Sequence, residues 1–261
     1  MHSSLSKFSM VYVVVSPPRC SSTAFARVFW EHPSIGYYNH EPFEVTYYDG
    51  APLESVYEKL NNPLDLKSIN GGVSDEQGSS LIIKEMPYQV GDHFPLLASW
   101  TKKPIIFLIR DPRLNIQSRI AKKLEVGDSP FYPFQESGWH LIYEQVQYCK
   151  NNDIAYNIVN ASDFRNHATS IFSQIFENLS LDFSEEMLSW ESLPEVEIDN
   201  LEGSHSHLYK KVLNSTSLRP TSEAIPELDF FTSEQGVRDH VIGCIKIYDL
   251  LQKDQWRILP C

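Results

Sequence analysis

Four short apolar runs stand out along the chain: Val11–Val15 (VYVVV), Leu81–Lys84, Ile105–Ile109 (IIFLI) and Ile154–Val159. They are rich in β-branched and aromatic residues, which predicts buried strands. Between them apolar residues return at helical spacing. Phe25, Val28 and Phe29 follow the first run, and Leu114, Ile116, Ile120 and Leu124 follow the third. Further helices are predicted over 53–60, 93–100 and 139–149, from Ser162-Asp163 as a cap through Phe176, and over about 233–253. Strands alternating with helices predict an α/β fold, a mainly parallel central sheet with helices on both faces.

The intervening stretches read differently. Ile35–Glu44 is aromatic-rich and broken at Glu41-Pro42. Residues 61–80 read as a surface loop, 185–200 as an acidic solvated connection, and 205–220 as a basic, hydroxyl-rich stretch. No repeat or composition break divides the 261 residues, so a single domain over 1–261 is expected.

Composition narrows the function. The formal net charge of -12 argues against nucleic acid and against a polyanionic acceptor, and favours a neutral or cationic small molecule. No run nears the ~18 apolar residues of a membrane span, and the N-terminus is short and polar, unlike a secretory signal. Cys20, Cys149, Cys244 and Cys261 are scattered, which predicts neither disulfides nor a zinc site but a reduced, cytoplasmic protein. His205 and His207 stand two apart without partner ligands, so no metal is expected. Oligomeric state is open.

Two strand-to-helix junctions carry the chemistry. At the first, Ser16-Pro17-Pro18 ends the strand, and Arg19, Cys20, Ser21, Ser22 and Thr23 lead into a helix. Such a turn aims backbone N–H groups and a helix dipole at one spot, which suits a phosphate. It lacks the glycines and lysine of a Walker A loop, and Cys20 to Arg27 is one residue too long for a C-x₅-R phosphatase loop. At the second, IIFLI runs into Arg110-Asp111-Pro112, and Ser118 lies eight residues beyond Arg110 on the next helix. About two helical turns separate them.

Taken together, in this order and about 90 residues apart, these junctions resemble the two cofactor signatures of sulfotransferases that use 3′-phosphoadenosine 5′-phosphosulfate (PAPS). Pro17, Arg19, Ser22 and Thr23 match P-x-[RK]-S-G-[ST]-[ST]; Cys20 stands for the usual serine and Ser21 for the usual glycine. The resemblance implies a P-loop NTPase-like sulfotransferase fold and transfer of a sulfuryl group from PAPS to a hydroxyl or amine of a small-molecule acceptor. It implies no metal. Arg19 would stabilise the leaving phosphate, the loop from Cys20 through Ser21, Ser22 and Thr23 would share its contacts, and Arg110 with Ser118 would hold the 3′-phosphate. A tryptophan often follows the loop threonines in the family, and Ala24 stands there instead.

For the base, the family uses either a histidine after the second strand or a glutamate after an H-P step. Here the second strand gives Lys84-Glu85-Met86-Pro87, whereas His32-Pro33 is followed by His40-Glu41-Pro42. Glu41 is therefore the expected base, with a pKa raised by partial burial, and His40 is the alternative. Lys84 and Glu85 are further candidates for leaving-group and acceptor contact. Tyr37, Tyr38, Tyr47 and Tyr48 are expected to line an acceptor pocket. The late basic stretch, with Lys210, Lys211, Ser215, Thr216 and Arg219, is similar in kind to the family's closing loop over the nucleotide. The rival readings are a P-loop kinase and a sulfotransferase-like module that binds without turnover, to which Ser21 and Ala24 leave room.

Overall fold

A computed structural model describes residues 5–69, 79–198 and 209–261. His205 and His207, and residues 70–78 of the loop expected over 61–80, lie outside them, while 64–69 of that stretch form a short strand and a helical turn rather than loop. The described strands are β1 Val11–Val15, β2 Ile35–His40, β3 Leu64–Asp65, β4 Ser80–Glu85, β5 Ile105–Ile109 and β6 Tyr156–Asn160. The helices are α1 Ser22–Trp30, α2 Glu44–Asp49, α3 Leu53–Asn61, α4 Leu66–Ile69, α5 Pro87–Val90, α6 Phe94–Ser99, α7 Pro112–Glu125 and α8 Trp139–Asn151. They continue as α9 Ala161–Asn166, α10 Ala168–Leu179, α11 Lys210–Leu213 and α12 Val237–Gln252.

The strands form one sheet in the order β3-β2-β4-β1-β5-β6. Every pairing is parallel except that of the two-residue β3 with β2. This is the α/β architecture that the alternation of runs predicts. Because successive strand side chains point to opposite faces, β1 feeds two cores. Val11, Val13 and Val15 pack with Trp139, Ile142 and Val146 of α8 and Val241 of α12, while Tyr12 and Val14 pack with Phe25 and Phe29 of α1 and Phe172 of α10. Burying each such side chain stabilises the fold by roughly 1.5–3 kcal/mol. Both faces are covered, which is why the strands read as unbroken apolar runs.

Three departures from the sequence reading have physical reasons. Ile35–His40 forms β2, wholly buried, although its tyrosines and histidine carry polar tips that mask the pattern. The helix expected from Ser162-Asp163 to Phe176 is two helices, α9 and α10, separated at His167, which leaves helical geometry at φ -130, ψ 46. Its cap is Asn160, whose side chain accepts from the Ser162 N–H at 2.8 Å. The last helix starts at Val237 because Gln235 and Gly236 both have positive φ.

The consequence for function is placement. β1 lies between β4 and β5, with the parallel strands all running one way. Ligands of open α/β sheets bind beyond the carboxyl ends of such strands. Arg19 follows β1, Glu41 follows β2, Lys84 is the penultimate residue of β4, and Arg110 follows β5. Among the described residues no helix is long and apolar enough to cross a membrane.

Candidate active site

A cleft of about 1050 Å³ opens at these strand ends. Among the described residues nine Lys and Arg side chains and five carboxylates line it, so this wall is cationic on a chain whose net charge is -12. Overall acidity therefore says nothing about the cleft, and an anionic ligand suits it.

The turn after β1 is shaped for close backbone approach. Arg19 and Ser21 both lie in the left-handed region, at φ 63 and φ 60. Ser21 precedes α1 directly and adopts ψ 25; this is the conformation that the usual glycine would take without cost. The first N–H groups of α1 have no partner within the helix and point into the cleft with the positive end of its dipole. The turn is braced from behind by Gly138 (φ 77), where a Cβ would lie 3.3 Å from Pro17 Cα. Relieving the strain at Ser21 makes a prediction. Ser21→Gly is expected to stabilise the protein by about 0.5–1 kcal/mol, seen as a higher urea midpoint with an unchanged slope. A lower midpoint would mean that the weak 3.5 Å contact from Arg165 Nη1 to Ser21 Oγ outweighs the backbone strain.

Arg19 joins the two sequence signatures. Its Nε donates to Ser118 Oγ at 3.1 Å, and its carbonyl accepts from Arg110 Nη1 at 2.7 Å. Burial, followed by the charge of Arg110, presses the Arg19 guanidinium below its ordinary value. Two clustered, partly desolvated guanidiniums are costly together and are relieved by an anion. Arg165 stands beside them on α9, also lowered by burial. Sequence reasoning missed it, although it lies on the helix that directly follows β6.

Cys20 is different. Its thiol is fully buried against the Pro18 carbonyl and Asn115, and burial pushes it up to about 11. Only the main chain of Cys20 is left to serve a ligand in the cleft. Asn115 also donates to the Pro18 carbonyl at 3.3 Å and so ties α7 to the turn.

At the other end lies Glu41, at φ 48 and buried. Its Oε1 pairs with Lys84 Nζ, its Oε2 accepts from Gln89 Nε2 at 2.9 Å, and His40 Nε2 stands 3.3 Å from Oε1. Burial pushes this carboxyl up, but the Lys84 ammonium and then His40 outweigh it and hold Glu41 well below the usual carboxylate range. The expectation of a raised pKa is thereby reversed, because burial brings a lysine with it. Glu41 and Lys84 line the cleft; His40 lies behind them, bonded through Nδ1 to the Tyr38 hydroxyl.

The expected acceptor residues divide. Tyr37 and Tyr38 are core residues, one on each face of the sheet. Glu85 is wholly buried, its carboxylate accepting from the Phe43 and Met86 N–H groups at 2.9 and 2.7 Å, so it anchors the chain after β2 and does not face the cleft. Burial, then the charge of Glu41, pushes its carboxyl well up. Tyr47 packs edge-on against Tyr48 and Tyr88, and the last two reach the cleft and share a 3.0 Å hydroxyl contact. Arg119, unforeseen from sequence, stacks 4.2 Å over the Tyr132 ring and pairs with Glu136; its place beside Ser118 on α7 was the available signal. In the late stretch Lys211, Ser215 and Arg219 line the cleft, whereas Lys210 and Thr216 are exposed outside it. Among the described residues no group of three or more His, Cys, Asp and Glu is placed to hold a metal.

Residues 10–232 match the family model of the sulfotransferase domain. No curated protein matches the chain. Among solved structures, a sulfotransferase domain from the curacin biosynthetic pathway is 14% identical, with 95% of this chain and 98% of that one covered and a TM-score of 0.51. The sulfotransferase domain from the Synechococcus PCC 7002 olefin synthase is 15% identical over 92% and 94% of the two chains, with a TM-score of 0.53. A mouse sulfotransferase complexed with PAP is 14% identical over 97% and 89%, with a TM-score of 0.50. At these identities the likeness speaks for the fold.

Proposed function

The chain belongs to the sulfotransferase domain family, and from that premise we propose that it transfers a sulfuryl group from PAPS to a hydroxyl or amine of a small-molecule acceptor by in-line displacement, within one domain spanning 1–261. The observation that carries this reading is the Arg19 junction, in which one side chain touches Ser118 and one carbonyl is held by Arg110. The two signatures, 91 residues apart between Arg19 and Arg110, meet at that one turn, which supports reading them together. A mouse sulfotransferase of the same fold binds PAP, the product PAPS would leave.

The residues fit that nucleotide. Arg110, with Ser118 and Arg165 nearby, supplies charge for the 3′-phosphate. Arg19 and the N-terminal N–H groups of α1 would hold the 5′-phosphate and stabilise the charge that grows on the bridging oxygen as the sulfur–oxygen bond breaks. Lys84, near the end of β4, supplies a further cation. The acceptor oxygen or nitrogen forms its bond to sulfur, and its proton passes to Glu41. A strongly acidic carboxyl is an adequate base here, because the acceptor proton becomes very acidic once the new bond to sulfur has formed. Tyr48, Tyr88, Tyr132 and Phe131 give the acceptor end flat apolar surfaces.

The reading is tested by incubating the protein with PAPS and a panel of neutral and cationic alcohols, phenols and amines, following release of adenosine 3′,5′-bisphosphate and the mass of the product. Bisphosphate release that depends on an acceptor, with a product 80 mass units heavier (roughly one SO₃), is the expected result. A folded protein that neither binds the bisphosphate nor releases it overturns the assignment.

A further inference from the structure

Arg110 has a second partner. While Nη1 donates to the Arg19 carbonyl, Nη2 forms an ion pair with the carboxylate of Glu223. Both residues line the cleft. The Arg110 side chain is 10% exposed and that of Glu223 is 50% exposed, so a fixed, buried cation meets a carboxylate arriving from the rim. The rim segment is fastened to the end of α9: Arg165 Nε donates to the Arg219 carbonyl, and the Thr221 N–H donates to Asn166 Oδ1 at 3.0 Å. Glu223 also acts electrostatically on Arg165. One carboxylate thus answers the arginines assigned above to the 3′-phosphate.

We propose that Glu223 is a carboxylate latch on Arg110, which a nucleotide bearing a 3′-phosphate displaces and which retakes Arg110 as the bisphosphate leaves. The proposal rests on the sulfotransferase reading and adds a residue that sets nucleotide affinity and release. The chemistry favours exchange in one direction for one ligand class. A phosphate monoester carries up to two charges and three acceptor oxygens, against one charge and two oxygens for the carboxylate, so it takes the guanidinium from Glu223. A nucleotide with only a hydroxyl at that position offers Arg110 a neutral acceptor, weaker than the carboxylate, and leaves the ion pair in place. Because Glu223 is half-exposed, solvent and salt screen the pair, and the latch is weak enough to open. Product release limits turnover in many enzymes, and a competitor built into the site acts on that step.

The test compares wild type, Glu223→Gln and Glu223→Ala by calorimetric titration with adenosine 3′,5′-bisphosphate and with adenosine 5′-phosphate at one ionic strength. Both substitutions are expected to tighten bisphosphate binding about three- to tenfold, to slow its dissociation in stopped flow, and to leave 5′-phosphate binding within about twofold. Unchanged bisphosphate binding overturns the latch. So does equal tightening of both nucleotides, which would mark Glu223 as part of the general field of the cleft. If all three proteins are folded by their melting curves and none binds the bisphosphate, the sulfotransferase reading falls and the latch with it.

Discussion

Arg110→Ala is expected to weaken binding of adenosine 3′,5′-bisphosphate by about a hundredfold or more, the equivalent of roughly 3 kcal/mol. Two losses combine. The phosphate ester loses a charged, planar donor, and the Arg19 carbonyl loses the 2.7 Å bond that holds the turn after β1 in its left-handed conformation. Arg110→Lys separates them, since a lysine restores the charge but cannot reach two acceptors in the fixed geometry of a guanidinium. Its affinity should fall between those of wild type and the alanine variant. The effect of Glu223→Gln should shrink in the Arg110→Ala background to what Glu223 exerts through Arg165, because its ion-pair partner is gone; calorimetry on the four proteins gives the cycle. An Arg110→Ala protein that melts normally and binds the bisphosphate like wild type would remove Arg110 from the nucleotide site.

These residues were legible in the sequence because their signals are local. A buried strand, a turn and a helix start lie within the short stretches Val11–Phe25 and Ile105–Ser118, and the chemistry sits at or just beyond the turn. Ser21 shows the same from the other side: the glycine of the usual loop is missing, yet the left-handed conformation remains and a serine bears it. What stayed hidden depends on pairing across the sheet. Tyr37 and Tyr38 read as pocket walls in the sequence, but β2 lies between β3 and β4, which buries one on each face. Register places His40 beside Lys84, and the next residue, Glu41, meets the Lys84 side chain; no spacing along the chain announces that ion pair. Glu223 and Arg165 are more remote still, since the rim reaches Arg110 from 113 residues away.

Glu41→Gln is expected to lower kcat by a factor of about 10² to 10⁴ while leaving bisphosphate affinity within about threefold, since Arg19, Arg110 and Ser118 are untouched. A module that binds without turnover would show the binding and no transfer in either protein. Stability alone does not identify a base here, because Glu41 and Lys84 are each 1% exposed and removing either partner strands the other, at a cost of about 3–5 kcal/mol. The pH profile does identify it. Glu41 is held below the ordinary carboxylate range, so it is ionised throughout pH 5–8, and lowering the pH across that window should not protonate it. Its contribution to stability follows the same sign: present above the unfolded carboxyl pKa of about 4.3, and lost only as pH falls through the lower folded value. If His40 were the base, kcat/KM would fall on the acid side as the imidazole takes up its proton, because only the neutral ring can accept one. Lys84→Met sharpens the contrast. It removes the charge that outweighs burial, so the Glu41 carboxyl should rise and an acid limb should enter the profile where wild type has none. A wild-type profile that already falls as the pH is lowered from 8 to 5, unchanged in Lys84→Met, would transfer the role to His40.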